Sequence, residues 1–388
     1  MAAPILPEWP MWSWREASLR RWLNPGLPFP WRPADDGSGR NGRRLDFYEA
    51  RHAIHALPAA LGWRRGDAVL MPAFHHGVET AALRAAGCEV IFYGVGADFA
   101  LDLDDAARRL TPRTRALYMI HYFGRAQPMP RIMAWARARR LQVIEDCALS
   151  LFAQWEGKFA GSFADAAIFC LHKTFPVPHG GLLWLPFSAG PAQNLHAPPW
   201  SHTLTGFWRR SRGPARFARV AGRLRGWRPA AWPEFAMTGL NDFVAARAGW
   251  RASAWVRGAV RAQNWRAIVA QRRQNDEILR RELECHGWPD PLPALRAGDV
   301  PLFFLLRVPE KPEFCRRLWR AGIMAVRTWA EGPEGNEFKA SRALRRTLIE
   351  LPIHQGIGRE ALSYMAKTAC AVRDELECRV PSMMEVEK

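Results

Sequence analysis

A chain of 388 residues, 48% of them apolar, is long enough for two packed lobes, which excludes wholesale disorder. The formal net charge is +18, yet the basic residues are spread along the chain, which argues against the block of charge that binds nucleic acid. Seven scattered cysteines without a CxxC spacing exclude a disulfide framework and a zinc site.

Apolar patterning predicts an irregular start and then regular alternation. Residues 1–45 are rich in Trp, Pro and Arg and are expected to form an N-terminal arm. The predicted helices are 47–62, 76–86, 101–110 and 130–140, and the predicted strands are 68–74, 89–95, 116–124, 141–147 and the apolar run that ends before Lys173. Such alternation predicts an α/β fold whose parallel sheet has helices on both faces, and ligands of such sheets bind at the carboxyl ends of the strands.

In the second half of the chain, the sequence pattern predicts an interruption of the strand–helix alternation and then a smaller lobe. Residues 187–235 carry many Pro, Arg and Trp residues without a clean period, which indicates an irregular basic insertion. A long helix is predicted over 241–284. Beyond it, the predicted strands are 299–309 and 348–354 and the predicted helices are 313–323 and 358–377. We therefore expect an N-terminal arm (1–45), a large domain (46–240) and a smaller C-terminal α+β domain (241–388).

Three predicted strands end in polar side chains that suit an aldehyde cofactor. Asp146 closes one strand, Lys173 follows a second, and His75 and His76 follow a third. A partly buried lysine has a lowered pKa and supplies the neutral amine that a Schiff base requires. A buried carboxylate keeps a pyridine nitrogen protonated, and an imidazole stacks on the ring. A lone Asp is commonly a helix cap and a lone His a core residue, so the order and spacing of the three carry the prediction.

Several segments resemble the DegT/DnrJ/StrS-type aminotransferases, best known as sugar aminotransferases. They are ALGWRRGDAVLMPAF (60–74), the stretch from GCEV to HYFG (87–124), VIEDCA (143–148), GKFAGSFADAAIF (157–169), the segment around Lys173 and, more weakly, LIELPIHQGI (348–357). The resemblance implies the aspartate aminotransferase fold, in which a large α/β domain with a mostly parallel central sheet flanked by helices precedes a smaller α+β domain. It also implies pyridoxal 5'-phosphate as the cofactor and a homodimer with active sites at the subunit interface. Within the site it implies Lys173 as the Schiff-base lysine, Asp146 as the partner of the pyridine nitrogen and His76 as the stacking ring.

The phosphate end of the implied site departs from the family pattern. Where the family has a Ser-Gly-Thr or Ser-Gly-Arg turn ahead of a helix, this chain has Glu49-Ala50-Arg51. By the resemblance Ala50 and Arg51 contact the phosphate, while Glu49 is an unfavourable neighbour for a dianion. Three further family positions are changed: Cys170 replaces a hydroxyl, Leu149 a glutamine and His179 an acidic residue. His121 matches a family position in a turn, where it either contacts the cofactor or only shapes the turn. Asn241 lies in a loosely aligned Gly-x-Asn segment, which in the family reaches the partner's phosphate.

The resemblance implies an aminotransferase that moves an amino group, from glutamate as the expected donor, to a keto-sugar, either nucleotide-linked or free, or to a related carbonyl acceptor. Lys173 then serves as general base and acid. Dehydration of a deoxysugar is a related alternative, although relatives of that kind carry histidine in place of the lysine. A degenerate, non-catalytic binding or regulatory protein is the second class, indicated by Glu49, Ala50, Cys170 and Leu149.

The remaining features concern location and partners. No window of about 20 apolar residues is present and the start lacks a secretory signal pattern, so we expect a cytoplasmic protein without integral membrane contact. We also expect small-molecule substrates and no nucleic-acid partner. The stretch 208–229 is basic with interleaved aromatic residues. We favour a solvated insertion there, with an anionic membrane or a phosphorylated substrate as alternative partners.

Overall fold

The described part of the chain comprises two main sheets and the helices around them. A computed structural model of the protein describes Leu6, Pro10 and residues 42–186, 194–210, 243–288, 293–329 and 337–378. Most of the predicted N-terminal arm, most of the predicted insertion and the candidate cofactor residue Asn241 lie outside these residues.

The larger sheet is mostly parallel, as the sequence predicts. The strands in the first half of the chain are β1 (Arg43–Phe47), β2 (Ala68–Pro72), β3 (Glu89–Tyr93), β4 (Thr114–Ile120), β5 (Gln142–Asp146), β6 (Gln154–Trp155), β7 (Lys158–Phe159), β8 (Ala166–Cys170) and β9 (Gly181–Leu185). Seven of them form one sheet in the order β1-β9-β8-β5-β4-β2-β3, and β6 pairs with β7 separately. Strands β8, β5, β4, β2 and β3 are parallel, while β9 and β1 extend one edge in antiparallel fashion.

Helices cover both faces of this sheet. They are α1 (Ala50–Leu61), α2 (Val78–Ala85), α3 (Leu103–Arg108) and α4 (Met129–Arg137). Val69 and Met71 of β2 pack into one core cluster and Leu70 between them packs into another, because successive side chains of a strand point to opposite faces. The first cluster includes Ile54 of α1 and Leu83 of α2, and the second includes Leu103 of α3 and Ile132 of α4.

A smaller antiparallel sheet and further helices follow. Its strands β10 (Phe303–Arg307), β11 (Val326–Arg327) and β12 (Leu348–Pro352) have the order β10-β12-β11. The later helices are α5 (Trp200–Arg210), α6 (Ala254–Arg261), α7 (Trp265–Cys285), α8 (Lys311–Arg320), α9 (Lys339–Thr347) and α10 (Arg359–Glu377). Side chains of α7, α8 and α10 share one core cluster with this sheet, which is the predicted α+β arrangement. None of the helices in the described ranges is both long and apolar enough to cross a bilayer.

The prediction of one long helix over 241–284 is wrong. The chain instead forms α6 and α7, and each begins at its own capping residue. Ser253 accepts a hydrogen bond from the backbone N–H of Val256 at 3.3 Å, and Asn264 accepts one from Ala267 at 3.2 Å. These short polar side chains satisfy the open amides of a helix start, so they divide the segment. The domain boundaries at 45/46 and 240/241 stay a prediction.

Candidate active site

The three predicted polar positions meet at one edge of the larger sheet. Asp146 is the last residue of β5, Lys173 ends a short 3-10 turn directly after β8, and His76 follows β2. Strands β5 and β8 are parallel neighbours, with Asp146 in register with Ile168. Because the carboxyl ends of parallel strands lie at the same edge of a sheet, Asp146 and Lys173 both lie at that edge. The charge of Lys173 lowers the pKa values of both Asp146 and His76, so the lysine lies within electrostatic reach of both groups.

Asp146 is a buried carboxylate held by two donors. Its side chain accepts a hydrogen bond from the Tyr118 hydroxyl at 2.6 Å and one from the Ala148 backbone N–H at 2.8 Å. Burial first, and then the charge of Glu79, raise the pKa of Asp146 to about 6, while the two hydrogen bonds and the charge of Lys173 oppose the rise. Each oxygen accepts one bond and keeps a lone pair, so the carboxylate can accept a further N–H.

Glu79 is a second buried carboxylate at this site, and the sequence analysis missed it. It lies in the first turn of α2, is 7% exposed, and accepts a hydrogen bond from the Gly77 backbone N–H at 2.9 Å. A negative charge is favourable near a helix N-terminus, which explains why the fold tolerates it. Its proximity to Asp146 comes only from the tertiary fold, because a single glutamate early in a helix has no distinctive sequence pattern.

His76 is a partly buried residue of the site, and its ring is neutral. Burial first, and then the charges of Lys173 and Arg51, lower the pKa of His76 to about 4 against the opposing charge of Glu79. Its Nδ1 is buried without a hydrogen-bond partner among the described residues. Trp329 faces it edge-on with 6.3 Å between ring centroids. A neutral, partly open imidazole with an unused nitrogen suits contact with a planar ligand.

His75, the neighbouring histidine, has a structural environment. Its ring stacks on Phe92 with 5.2 Å between centroids and 4° between planes, and its Nδ1 lies 4.0 Å from Glu79 Oε2. His75 thus makes a core contact, whereas His76 belongs to the candidate site.

The phosphate end of the predicted site is the start of α1. Glu49 is its N-cap residue without a side-chain capping bond, and Arg51 Nε lies 3.0 Å from Glu49 Oε2. Gly181, the first residue of β9, approaches this turn so closely that a Cβ there would lie 2.2 Å from the Glu49 carbonyl carbon and 2.4 Å from the Ala50 nitrogen. The strand that follows the Lys173 loop therefore lies directly against the residues predicted to hold a phosphate.

Cys170 and His179 belong to the same stretch of chain as Lys173. Cys170 closes β8 and is buried, and its Sγ lies 3.4 Å from His172 Nδ1. His179 stacks on Tyr48 with 4.2 Å between ring centroids. Both lie next to the candidate site, and their roles toward a cofactor stay predictions. Leu149 is buried in the core cluster of the larger sheet.

His121 has a buried network of its own. Its Nδ1 accepts a hydrogen bond from the Gln127 backbone N–H at 3.0 Å, and its Nε2 lies 3.0 Å from Glu145 Oε2. Glu145 also accepts three backbone N–H groups, those of Gly161, Phe163 and Ala164. With both ring nitrogens engaged, the structure favours the interpretation of His121 as a residue that shapes its turn. Cys147 lies within 4.8 Å of this pair, but the bonds already made leave a hydrogen-bond network rather than a metal centre.

Comparisons with known proteins agree with the resemblance seen in the sequence. The model of the DegT/DnrJ/EryC1/StrS aminotransferase family matches residues 47–185, which contain Asp146 and Lys173. In three dimensions the chain is similar to PseC of Helicobacter pylori, an aminotransferase involved in the biosynthesis of pseudoaminic acid. The TM-score is 0.69 with 14% identity, over 96% of this chain and 99% of that one, which shows a shared fold.

Curated relatives match the same part of the chain. GDP-perosamine synthase of Escherichia coli O157:H7 is 30% identical over 134 residues, which cover 34% of this chain and 37% of that protein. A UDP-N-acetyl-3-dehydro-alpha-D-glucosamine 3-aminotransferase of Acidithiobacillus ferrooxidans is 37% identical over 105 residues, or 27% and 28% of the two chains. A pleiotropic regulatory protein of Geobacillus stearothermophilus is 30% identical over 123 residues, or 31% and 33%. The matched region thus spans about a third of the length of these relatives.

Proposed function

We propose that this chain, whose residues 47–185 carry the DegT/DnrJ/EryC1/StrS family segment, is a pyridoxal phosphate-dependent aminotransferase that acts on sugars. The observation that carries the proposal is the pairing of Asp146 and Lys173 at the ends of neighbouring parallel strands. A buried carboxylate beside a lysine, in a fold shared with aminotransferases, is the arrangement that this cofactor requires.

The residues present fit the ring end of the cofactor. Asp146 keeps acceptor capacity on a carboxylate that is buried and still largely ionised at neutral pH, since its pKa is raised only to about 6. The unpartnered Nδ1 of His76 marks a buried polar atom that a ligand can satisfy. At the other end, the missing Cβ of Gly181 lets strand β9 lie directly against the start of α1, where the phosphate is expected.

Each of these side chains would have a separate role in the reaction. Bound pyridoxal phosphate supplies an aldehyde that takes up an amine and a pyridine ring that withdraws electrons from the reacting carbon. Asp146 would hold the protonated ring nitrogen, and Tyr118 and Ala148 orient its carboxylate through their hydrogen bonds. The amine of Lys173 would take a proton from the reacting carbon and later return it, as general base and then general acid. Arg51 and the amides at the start of α1 would hold the phosphate.

The names of the relatives support a type of acceptor, and the family resemblance supports a donor. A GDP-perosamine synthase and an aminotransferase named for a UDP-linked 3-dehydro-glucosamine support a keto-sugar acceptor that is nucleotide-linked, and the family resemblance supports glutamate as the donor. We extend the proposal to a homodimer in the cytoplasm, as the resemblance implies.

The test of the proposal is a visible absorbance band on incubation of the purified protein with pyridoxal phosphate. The wild type should show a band that shifts when glutamate is added, and Lys173→Ala should abolish it. Lys158→Ala is the matched control, because Lys158 is an exposed lysine on β7, which belongs to the separate two-stranded sheet. A wild-type protein that stays colourless at saturating cofactor would overturn the aminotransferase proposal.

A second candidate is a non-catalytic family member that keeps the fold as a binding or regulatory protein. The ion pair between Arg51 and Glu49 favours it, because a carboxylate already neutralises the predicted phosphate-binding arginine. A relative named as a pleiotropic regulatory protein adds support. The absorbance experiment distinguishes the two candidate functions, since a cofactor-free regulator gives no band that depends on Lys173.

A further inference from the structure

A side chain of the smaller lobe, Gln355, is hydrogen-bonded to the turn that carries Lys173. Its Nε2 donates to the backbone carbonyl of Thr174 at 3.1 Å, across 181 positions of the sequence. Thr174 directly follows Lys173 and caps the end of the short 3-10 turn Leu171–Lys173. The smaller lobe therefore makes a direct bond next to the lysine expected to hold the cofactor.

The Lys173 turn is anchored at both ends. At its start, the backbone N–H of the buried Leu171 donates to the Gly180 carbonyl at 2.9 Å. At its end, Thr174 is 4% exposed, and among the described residues Gln355 supplies the hydrogen bond to its carbonyl. A buried backbone carbonyl needs a donor, so loss of the Gln355 amide would release one end of the turn.

The backbone of this turn decides where the amine of Lys173 lies. The side chain of Lys173 is half-buried, and it makes no hydrogen bond or ion pair within the part of the chain that the structure describes. No contact of this kind fixes the amine, so its position follows from the turn. A displacement of about 1 Å in a reacting group can lower a rate about a hundredfold. An anchor on the turn therefore bears directly on the reaction of the amine.

The turn that carries Gln355 is itself held firmly. The Ile357 backbone N–H donates to the His354 carbonyl at 2.9 Å, which closes the turn around Gln355. Asn275 of α7 is 1% exposed, and its Nδ2 donates to the carbonyls of Ile353, His354 and Ile357 at 3.1, 3.2 and 3.2 Å. Hydrogen bonds thus run without a break from α7 through this turn to Thr174.

We propose that Gln355 is a positioning residue for Lys173, which it holds in place from the smaller lobe through the Thr174 carbonyl. The proposal rests on the proposed function, because it concerns how the amine of Lys173 meets the cofactor. Gln355 acts through the backbone of the turn, so it needs no contact with the substrate.

The second half of the Gln355 amide separates this role from a role in stability. Its Oε1 is buried and has no hydrogen-bond partner among the described residues. Methionine has a similar length and lacks the amide, so Gln355→Met removes this unpartnered oxygen and leaves the Thr174 carbonyl unpartnered instead. The two proteins then have the same number of unpartnered buried polar atoms at this place, and their stabilities should be similar. A change in Lys173 without a loss of stability would be a change in position.

The experiment compares the wild type with Gln355→Met in two measurements. In cofactor-free protein, acetic anhydride labels amines, and mass spectrometry gives the labelling of Lys173 relative to the exposed Lys158. We expect at least about threefold more labelling of Lys173 in the variant, because a released turn opens to solvent. At saturating pyridoxal phosphate, stopped-flow absorbance gives the rate at which the band that depends on Lys173 forms. That rate should fall at least about tenfold, because the amine is no longer aligned with the bound aldehyde.

Further readouts distinguish position from folding. The Tm of Gln355→Met should equal that of the wild type, and inorganic phosphate should compete with the cofactor equally well in both, since the start of α1 is untouched. Gln263→Met is the matched control, because Gln263 is another half-buried glutamine and its Nε2 donates to the Ala259 carbonyl of α6 at 3.4 Å. It should match the wild type in both measurements. Gln355→Glu places an acceptor against the Thr174 carbonyl, so its band should form at least as slowly as that of Gln355→Met.

Two results would overturn the inference. The first is wild-type labelling of Lys173 together with a wild-type rate of band formation in both Gln355 variants. The second is slower band formation that comes with a lowered Tm in Gln355→Met or with an equal slowing in Gln263→Met, which would make the contact a structural one. A wild type that forms no band would instead contradict the proposed function, and the labelling of Lys173 would still test whether Gln355 holds the turn.

Discussion

Arg51 Nε lies 3.0 Å from Glu49 Oε2, so the arginine expected to bind the cofactor phosphate is already paired with a carboxylate. The two side chains are 25% and 28% exposed, at the start of α1. The amides and the positive end of a helix favour an anion at this place. In this chain Glu49 supplies a negative charge where a phosphate would bind, so the phosphate must compete with it for Arg51.

Removal of this competing charge should strengthen cofactor binding. We expect Glu49→Gln and Glu49→Ser to lower the Kd for pyridoxal phosphate about tenfold, since repulsion between a half-screened carboxylate and a dianion is worth about 1–2 kcal/mol. Titration of the visible band measures the Kd, and inorganic phosphate should compete better in both variants. Glu377→Gln, at an exposed glutamate that ends α10, is the control. An unchanged Kd would show that the ion pair does not limit phosphate binding.

The hydroxyl of Tyr118 should set the pH range in which Asp146 is ionised. Its hydrogen bond to the carboxylate lowers the pKa of Asp146 against the effect of burial. Tyr118→Phe should therefore raise the pKa of Asp146. As the pH is lowered, cofactor affinity should be lost about one pH unit earlier than in the wild type. One pH unit corresponds to about 1.4 kcal/mol, the usual contribution of one hydrogen bond to a charged group. The midpoint comes from cofactor titrations between about pH 5 and pH 8.

The matched control for Tyr118 is Tyr93→Phe. Tyr93 is equally buried, but its hydroxyl donates to the Tyr118 backbone carbonyl at 3.0 Å rather than to a carboxylate. Loss of the Tyr93 hydroxyl should leave the midpoint pH of cofactor binding unchanged, even if the stability of the protein falls. Equal shifts in both variants would contradict a specific role for the Tyr118 hydroxyl.

The sequence predicts the centre of the fold better than its edges. Strands β2 and β8 are buried throughout and β5 is buried beyond its first residue, so their apolar runs stand out and place Asp146 and Lys173 correctly at strand ends. Strand β1, with the sequence RRLDF, escaped prediction because an edge strand tolerates charges that hide its period. The proximity of Glu79 to Asp146 and the pairing of Glu49 with Arg51 depend on side-chain positions that no spacing rule encodes.

Gly181 should be required for the close approach of β9 to the start of α1. A Cβ there would lie 2.2 Å from backbone of Glu49, a clash that only backbone movement relieves. We expect Gly181→Ala to lower thermal stability and to weaken cofactor binding together. Gly358→Ala is the control, because Gly358 has open space around its Cα and a backbone φ of −92°. Full cofactor affinity in Gly181→Ala would mean that the α1 start does not form part of the site.

The pH dependence of stability should depend on His179, which stacks on Tyr48. Burial first, and then the charge of His202, lower the pKa of His179 from 6.5 to about 4, and neither ring nitrogen has a hydrogen-bond partner among the described residues. Between these two pKa values the unfolded chain binds a proton that the folded chain does not, so the free energy of unfolding falls as the pH drops through this window. His179→Phe keeps the ring and removes this loss, so it should gain about 2 kcal/mol over the wild type between about pH 7 and about pH 5. Denaturant unfolding at the two pH values measures the difference, and exposed His286→Phe is the control. A parallel pH dependence in wild type and His179→Phe would show that His179 is protonated in the folded protein, against the environment that the structure gives it.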